Sequence, residues 1–146
     1  MNQKIITKSF EQTQSFAQEF ANTLKGGDIL LLFGDLGAGK TTFMQGVAKG
    51  LDISQTALSP TFIIMRSYEV SNNEEIKNLY HLDLYRINSE HDLDGLGMQE
   101  IFVDNKSIVA IEWPEKLGKM LPEKRIEIRL KYISDEEREI TINQIM

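Results

Sequence analysis

The chain changes character abruptly at residue 33, and this junction constrains its fold more than any other feature. "DILLLF" holds its most apolar run, Ile29–Phe33, and "GDLGAGKTTF" follows at once. An apolar run without alternation reads as a strand buried on both faces, as in a covered parallel sheet. The next residues carry almost no side chains. Then "KTTFMQGVAKGL" recovers helical spacing, with Phe43, Val47 and Leu51 on one face. A buried strand, a glycine loop and a helix in that order leave few architectures open.

Gly34, Gly39, Lys40 and Thr41 match G-x-x-x-x-G-K-[ST]. The residue types have a physical reason. A polyphosphate needs several donors at close range. Glycine lets the backbone curl with its N–H groups inward and removes side chains that would hold phosphates away. The helix that follows aims its positive end at the same place. The cradle is therefore read as Gly34, Asp35, Leu36, Gly37, Ala38, Gly39, Lys40, Thr41 and Thr42. Lys40 is expected to reach the β- and γ-phosphates, and the Thr41 hydroxyl to ligate Mg²⁺. The glycine spacing does not fit a dinucleotide fingerprint.

The remaining pattern is α/β. "SFEQTQSFAQEFANTLKGG" begins with capping-box spacing at Ser9 and Gln12 and reads as a helix stopped by Gly26 and Gly27. "FIIMRSYEV" and "IKNLYHLDLYR", joined by the turn chemistry of "SNNEE", read as a hairpin. "SEHDLDGLGMQEIF" reads as short helical turns broken at Gly95 and Gly97. "SIVAIEW" is another buried strand, and Pro114 opens a short helix. The end of the chain, from "KRIEIRLKY" onward, alternates as a strand pair. The expected fold is a single P-loop NTPase domain over residues 1–146. Its mixed sheet has a parallel centre and antiparallel strands at one side.

Hydrolysis or transfer needs a second, metal-side acid at the end of a neighbouring buried strand. Glu112, ending "SIVAIE", is the first choice for Mg²⁺, and Asp83, ending "NLYHLD", is the second. For either, an acid that simply faces water is the alternative. "SPTF" occupies the position of a loop that senses the γ-phosphate, with Thr61 the leading hydroxyl and Ser59 the weaker one. His81 and His91 form no metal-ligand pair and read as structural or solvated. Trp113 either lies near the phosphates or fills core. "NKSI" starts like a guanine-specific motif but carries Ile108 where aspartate is required, so ATP and ADP are favoured.

Composition narrows the class. Of 146 residues, 41% are hydrophobic and 26% charged, as in ordinary globular chains. Sixteen basic against 22 acidic side chains give a net charge of −6, so the chain alone suits neither DNA, RNA nor an anionic membrane. Lys116, Lys119, Lys124, Arg125, Arg129 and Lys131 enrich one segment in positive charge, read as a solvated face. With no cysteine, disulfides and thiolate zinc sites are excluded. The amino terminus lacks the apolar core of a signal peptide, and no run is long enough to span a bilayer. A cytoplasmic location is expected.

Taken together, "GDLGAGKTTF", "SPTF", "HLDLYR", "LGMQEIF" and "IEWPEKL" resemble, in order and spacing, the bacterial TsaE family, also called YjeE. The resemblance covers nearly the whole chain. It implies a small ATPase required for threonylcarbamoyladenosine in tRNA, at the adenosine beside the anticodon. It also implies action with TsaB and TsaD, with tRNA met only through that complex. By position, it puts Mg²⁺ at Thr41 and Glu112 and makes Thr61, Asp83 and Trp113 functional. Adenine contacts are implied around Glu11 to Thr13 and in the C-terminal hairpin. The competing reading is a P-loop small-molecule kinase, although no arginine-bearing lid insertion is visible. A nucleotide-binding module without catalysis would have lost Glu112 or Asp83.

Overall fold

The computed structural model describes residues 2–53 and 64–146. Among the described residues there are seven strands: β1 (Asn2–Thr7), β2 (Ile29–Phe33), β3 (Met65–Glu69), β4 (Asn78–Asp83), β5 (Ser107–Glu112), β6 (Arg125–Tyr132) and β7 (Arg138–Ile145). The helices are α1 (Phe10–Ala21), α2 (Lys40–Gly50) and α3 (Met98–Phe102), with 3₁₀ segments at Glu90–Leu93 and Pro114–Met120. All strands form one sheet in the order β1-β7-β6-β2-β5-β4-β3.

Strands β6, β2, β5 and β4 run parallel. Antiparallel pairs flank them at both edges, β6-β7-β1 on one and β4-β3 on the other, rather than at one side as expected. Strand β1 was not anticipated. It is mostly exposed and carries no long apolar alternation, and its pairing with β7 supplies what its sequence does not.

The absence of alternation in β2 has a direct cause. Leu30 and Leu32 face one apolar layer and Ile29 and Leu31 the other, so the whole strand is covered. Residues of α1 and α2 fill the first layer, and α3 and both 3₁₀ segments contribute to the second. The same division splits β5, with Ile108 and Ala110 on the first face and Val109 and Ile111 on the second.

Two glycines let α2 lie against α1. A methyl at Gly46 would overlap the Gln14 carbonyl and Ala17, and one at Gly50 would overlap Ala21 and the Gln18 carbonyl. Fully buried Phe43 packs against Phe16 and Phe20, with ring centroids 6.5 and 5.8 Å away. Helix α1 is capped as its sequence suggests, since Ser9 accepts from the Gln12 N–H. It stops at Ala21, however, before Gly26 and Gly27. Gly26 has another duty: a Cβ there would collide with the Asn105 and Glu75 carbonyls.

Candidate functional site

The site lies where β2 ends and α2 begins. Gly37 and Gly39 have φ of +82° and +100°, in the region that disfavours side chains. A Cβ on Gly37 would meet nothing within 4 Å, so that side of the loop is open. Gly39 is the N-cap of α2; it offers no side-chain cap, and the first turn contains no acid. Among the described residues, no side chain caps the N–H groups at the positive end of α2, an arrangement suited to an anion. Helix α1, by contrast, has its Ser9 cap and Glu11 in the first turn.

Lys40 is buried, with its ammonium donating to the Gly34 carbonyl at 2.5 Å and lying 3.9 Å from the centre of the Trp113 ring. Burial pushes its pKa below the ordinary lysine value. Glu112, Asp83, Glu115 and Asp35, in that order, pull it back up. This is a desolvated cation among acids at the mouth of a glycine loop. Trp113 has φ of +57°, rare for a bulky residue, and its ring meets Tyr85 at 5.0 Å. Trp113 both lies beside the loop lysine and packs against the second apolar layer.

Strand register assembles the acids. Leu32, Glu112 and Asp83 are neighbours across β2, β5 and β4, at the carboxyl ends of three parallel strands. Period two places His81 on the same face as Asp83. His81 Nε2 lies 2.7 Å from Glu112 Oε2, so this histidine holds the orientation of that carboxylate. Asp83 accepts from the Tyr85 N–H at 3.0 Å. Among the described residues, no cluster of three or more His, Asp or Glu forms a metal cage. The Thr41 hydroxyl and two strand-end carboxylates suit Mg²⁺, which retains waters and takes phosphate oxygens rather than a protein-only shell.

The loop has a back wall that sequence reasoning missed. Arg138, at the start of β7, donates to the carbonyls of Gly37 and Ala38 at 3.0 and 3.1 Å. Strict alternation along β7, with Arg138, Ile140 and Ile142 all inward, was the available signal. Beside this wall is a groove of about 610 Å³ between loop residues 34–38 and the end of β6.

Other expected residues fall in different places. Thr61 and Ser59 lie outside the described residues. Glu11 is exposed, whereas Thr13 is buried and bonded to Thr7 at 2.6 Å. The start of α1 does reach the C-terminal hairpin: Lys8 pairs with Glu137, and the Phe10 ring is 5.7 Å from the Arg138 guanidinium. Part of the basic segment is engaged within the fold. Lys116 donates to the Ile87 carbonyl, and Arg125 and Arg129 both pair with Glu127. His91 is exposed, 3.8 Å from Asp94. Among the described residues, no helix is long and apolar enough to cross a membrane.

Comparison with known proteins places the chain in a family. The profile of the family described as "Threonylcarbamoyl adenosine biosynthesis protein TsaE" matches residues 7–140. The "tRNA threonylcarbamoyladenosine biosynthesis protein TsaE" of Bacillus subtilis is 41% identical over 135 residues, covering 92% of this chain and 81% of that protein. Its counterpart in Treponema pallidum is 34% identical over 139 residues, covering 95% and 98%. The crystal structure of Bacillus subtilis YdiB superposes with a TM-score of 0.80 at 36% identity, over 100% of this chain and 87% of that one. A matching profile over most of the sequence, and relatives this similar along nearly their whole length, show that the chain belongs to the TsaE family of tRNA threonylcarbamoyladenosine biosynthesis proteins.

Proposed function

We propose that residues 1–146 form a single Mg²⁺-dependent P-loop ATPase domain whose turnover supports threonylcarbamoyl transfer to tRNA by TsaB and TsaD. One observation carries the reading. The Lys40 ammonium, the uncapped start of α2 and the carboxylates Glu112 and Asp83 converge at one end of the parallel sheet.

In this reading the amides of residues 34–42 bind the phosphate chain, and Lys40 leaves the Gly34 carbonyl to neutralise its terminal oxygens. Thr41 and Glu112 would hold Mg²⁺, which when bound would supply positive charge against the phosphate oxygens. Asp83 orients the attacking water, and Thr61 senses the γ-phosphate. His81 keeps Glu112 aimed, and Trp113 covers the Lys40 side of the site. ATP and ADP are preferred over GTP, because no aspartate is provided for guanine. Adenine lies toward the start of α1, near Glu11, and the C-terminal hairpin. The protein works in the cytoplasm and meets tRNA only through its partners, since its net charge of −6 disfavours direct binding.

The test is a pull-down from native lysate with and without ATP. Nucleotide-dependent recovery of TsaB and TsaD is expected. Recovery of neither, together with phosphate transfer from ATP to a small molecule, would favour a kinase instead.

A further inference from the structure

Arg138 is 5% exposed, and its guanidinium bonds two segments of chain at once. Toward the phosphate loop, Nε donates to the Ala38 carbonyl at 3.1 Å and Nη2 to the Gly37 carbonyl at 3.0 Å. Toward the turn between β6 and β7, Nη1 faces the carbonyls of Ser134, Asp135 and Glu137 at 2.6, 3.2 and 2.9 Å. Among the described residues, no carboxylate lies within ion-pair distance of it. Carbonyl dipoles and the rings of Tyr132 and Phe10, 4.8 and 5.7 Å from the guanidinium carbon, compensate the buried charge. A buried cation without a counter-ion is a poor device for stability, and an apolar side chain would fill the space at lower desolvation cost. What the guanidinium supplies is direction, a rigid planar fork that fixes carbonyls on both sides.

The direction matters because of peptide geometry. In a trans peptide the C=O and the following N–H point opposite ways. Carbonyls of Gly37 and Ala38 turned toward Arg138 therefore turn the N–H groups of Ala38 and Gly39 away from it. The Ala38 N–H closes a turn on the Asp35 carbonyl at 3.0 Å. The Gly39 N–H is left aimed away from the hairpin. The fit behind Gly39 is close: a Cβ there would meet Arg138 Nε, Cγ and Cδ at 3.4 to 3.7 Å. The turn is itself braced, with Ser134 Oγ donating to Glu137 at 2.8 Å and Lys8 pairing with Glu137 at 3.1 Å.

We infer that Arg138 is a positioning residue that holds the back of the phosphate loop, so that its amides are preset before a nucleoside phosphate arrives. The advantage is a smaller ordering cost on binding. Arg138 needs no contact with the ligand, since it acts through the Gly37 and Ala38 peptides. The inference rests on the nucleotide-binding reading of the loop.

The test is calorimetric titration of the full chain with ADP for the parent, Arg138→Lys and Arg138→Ala. Arg138→Lys keeps charge and length but loses the fork. We expect it to bind ADP about tenfold more weakly or worse, with Arg138→Ala weaker still. Millimolar ethylguanidine should restore affinity to Arg138→Ala, and the Ala38 and Gly39 amide resonances should return toward their parent positions. A purely structural role would lower the melting temperature of the variants and leave the ADP affinity of the folded protein unchanged. If Arg138→Ala does not fold, Arg138→Lys decides the question. Parent-like affinity in Arg138→Lys, within about twofold, would overturn the inference alone. Failure of the parent to bind ADP would overturn the reading of the loop and the inference with it.

Discussion

Glu112→Gln should separate chemistry from binding if Glu112 is the metal-side acid of this site. Glu112 is 7% exposed, and glutamine fills the same volume. Its amide still offers a hydrogen-bonding atom to His81, now 2.7 Å from the carboxylate, so the fold should persist. One negative charge disappears from beside Lys40. Asp83, Glu115 and Asp35 continue to offset the burial of that ammonium, so ground-state phosphate binding should fall by less than about tenfold. The transition state loses more. Removing one preorganised electrostatic group typically lowers the rate about 10²–10³-fold. Trp113 is the only tryptophan and lies over Lys40, so its fluorescence can report nucleotide affinity. Single-turnover phosphate release, with TsaB and TsaD present, gives the rate. Parent-like hydrolysis with the same Mg²⁺ dependence would refute the assignment of Glu112 and move the metal-side role to Asp83.

Lys40→Ala removes a cation that the proposed mechanism uses in ground and transition states alike, so ADP affinity and hydrolysis should both fall, measured in the same two assays. Gly46→Val forces a side chain into the Gln14 carbonyl and Ala17 of α1, and should cost about 1–3 kcal/mol. Thermal denaturation would show this as a fall of roughly 2–4 °C per kcal/mol. Acid should also destabilise the fold through Glu127. Burial raises its pKa, but hydrogen bonds from Arg125 and Arg129 outweigh this and leave it below the ordinary value of 4.5. The unfolded chain then takes up the proton more readily, so Glu127 stabilises the fold above pH 4.5 and this contribution is lost as pH falls below it. Denaturant titrations at a series of pH values should show a shallower acid slope in Glu127→Gln.

Local signals in the sequence carry the centre of this fold well. Unbroken apolar runs in β2 and β5 reveal strands covered on both faces, because nothing there has to face water. The glycine loop and its lysine are legible because phosphate chemistry permits few alternatives at those positions. Strand ends likewise brought Glu112 and Asp83 together, since adjacent parallel strands align their last residues. The edges were harder. Strand β1 is stabilised by pairing with β7, a partner far along the chain, and its exposed residues carry no matching pattern. The end of α1 was misplaced because Asn22 already supplies the cap, while Gly26 answers to the approach of Glu75 and Asn105. Arg138 was overlooked for a related reason. It sits amid charged residues in "DEERE", and only strand alternation marks it as inward.

Phosphate release from ATP by the purified chain mixed with TsaB and TsaD, with Mg²⁺ present or chelated, tests the central claim most directly. The account predicts release that requires Mg²⁺, rises with the partners and is lost in Lys40→Ala. Release unaffected by that substitution, or none with both partners and Mg²⁺ present, would contradict it.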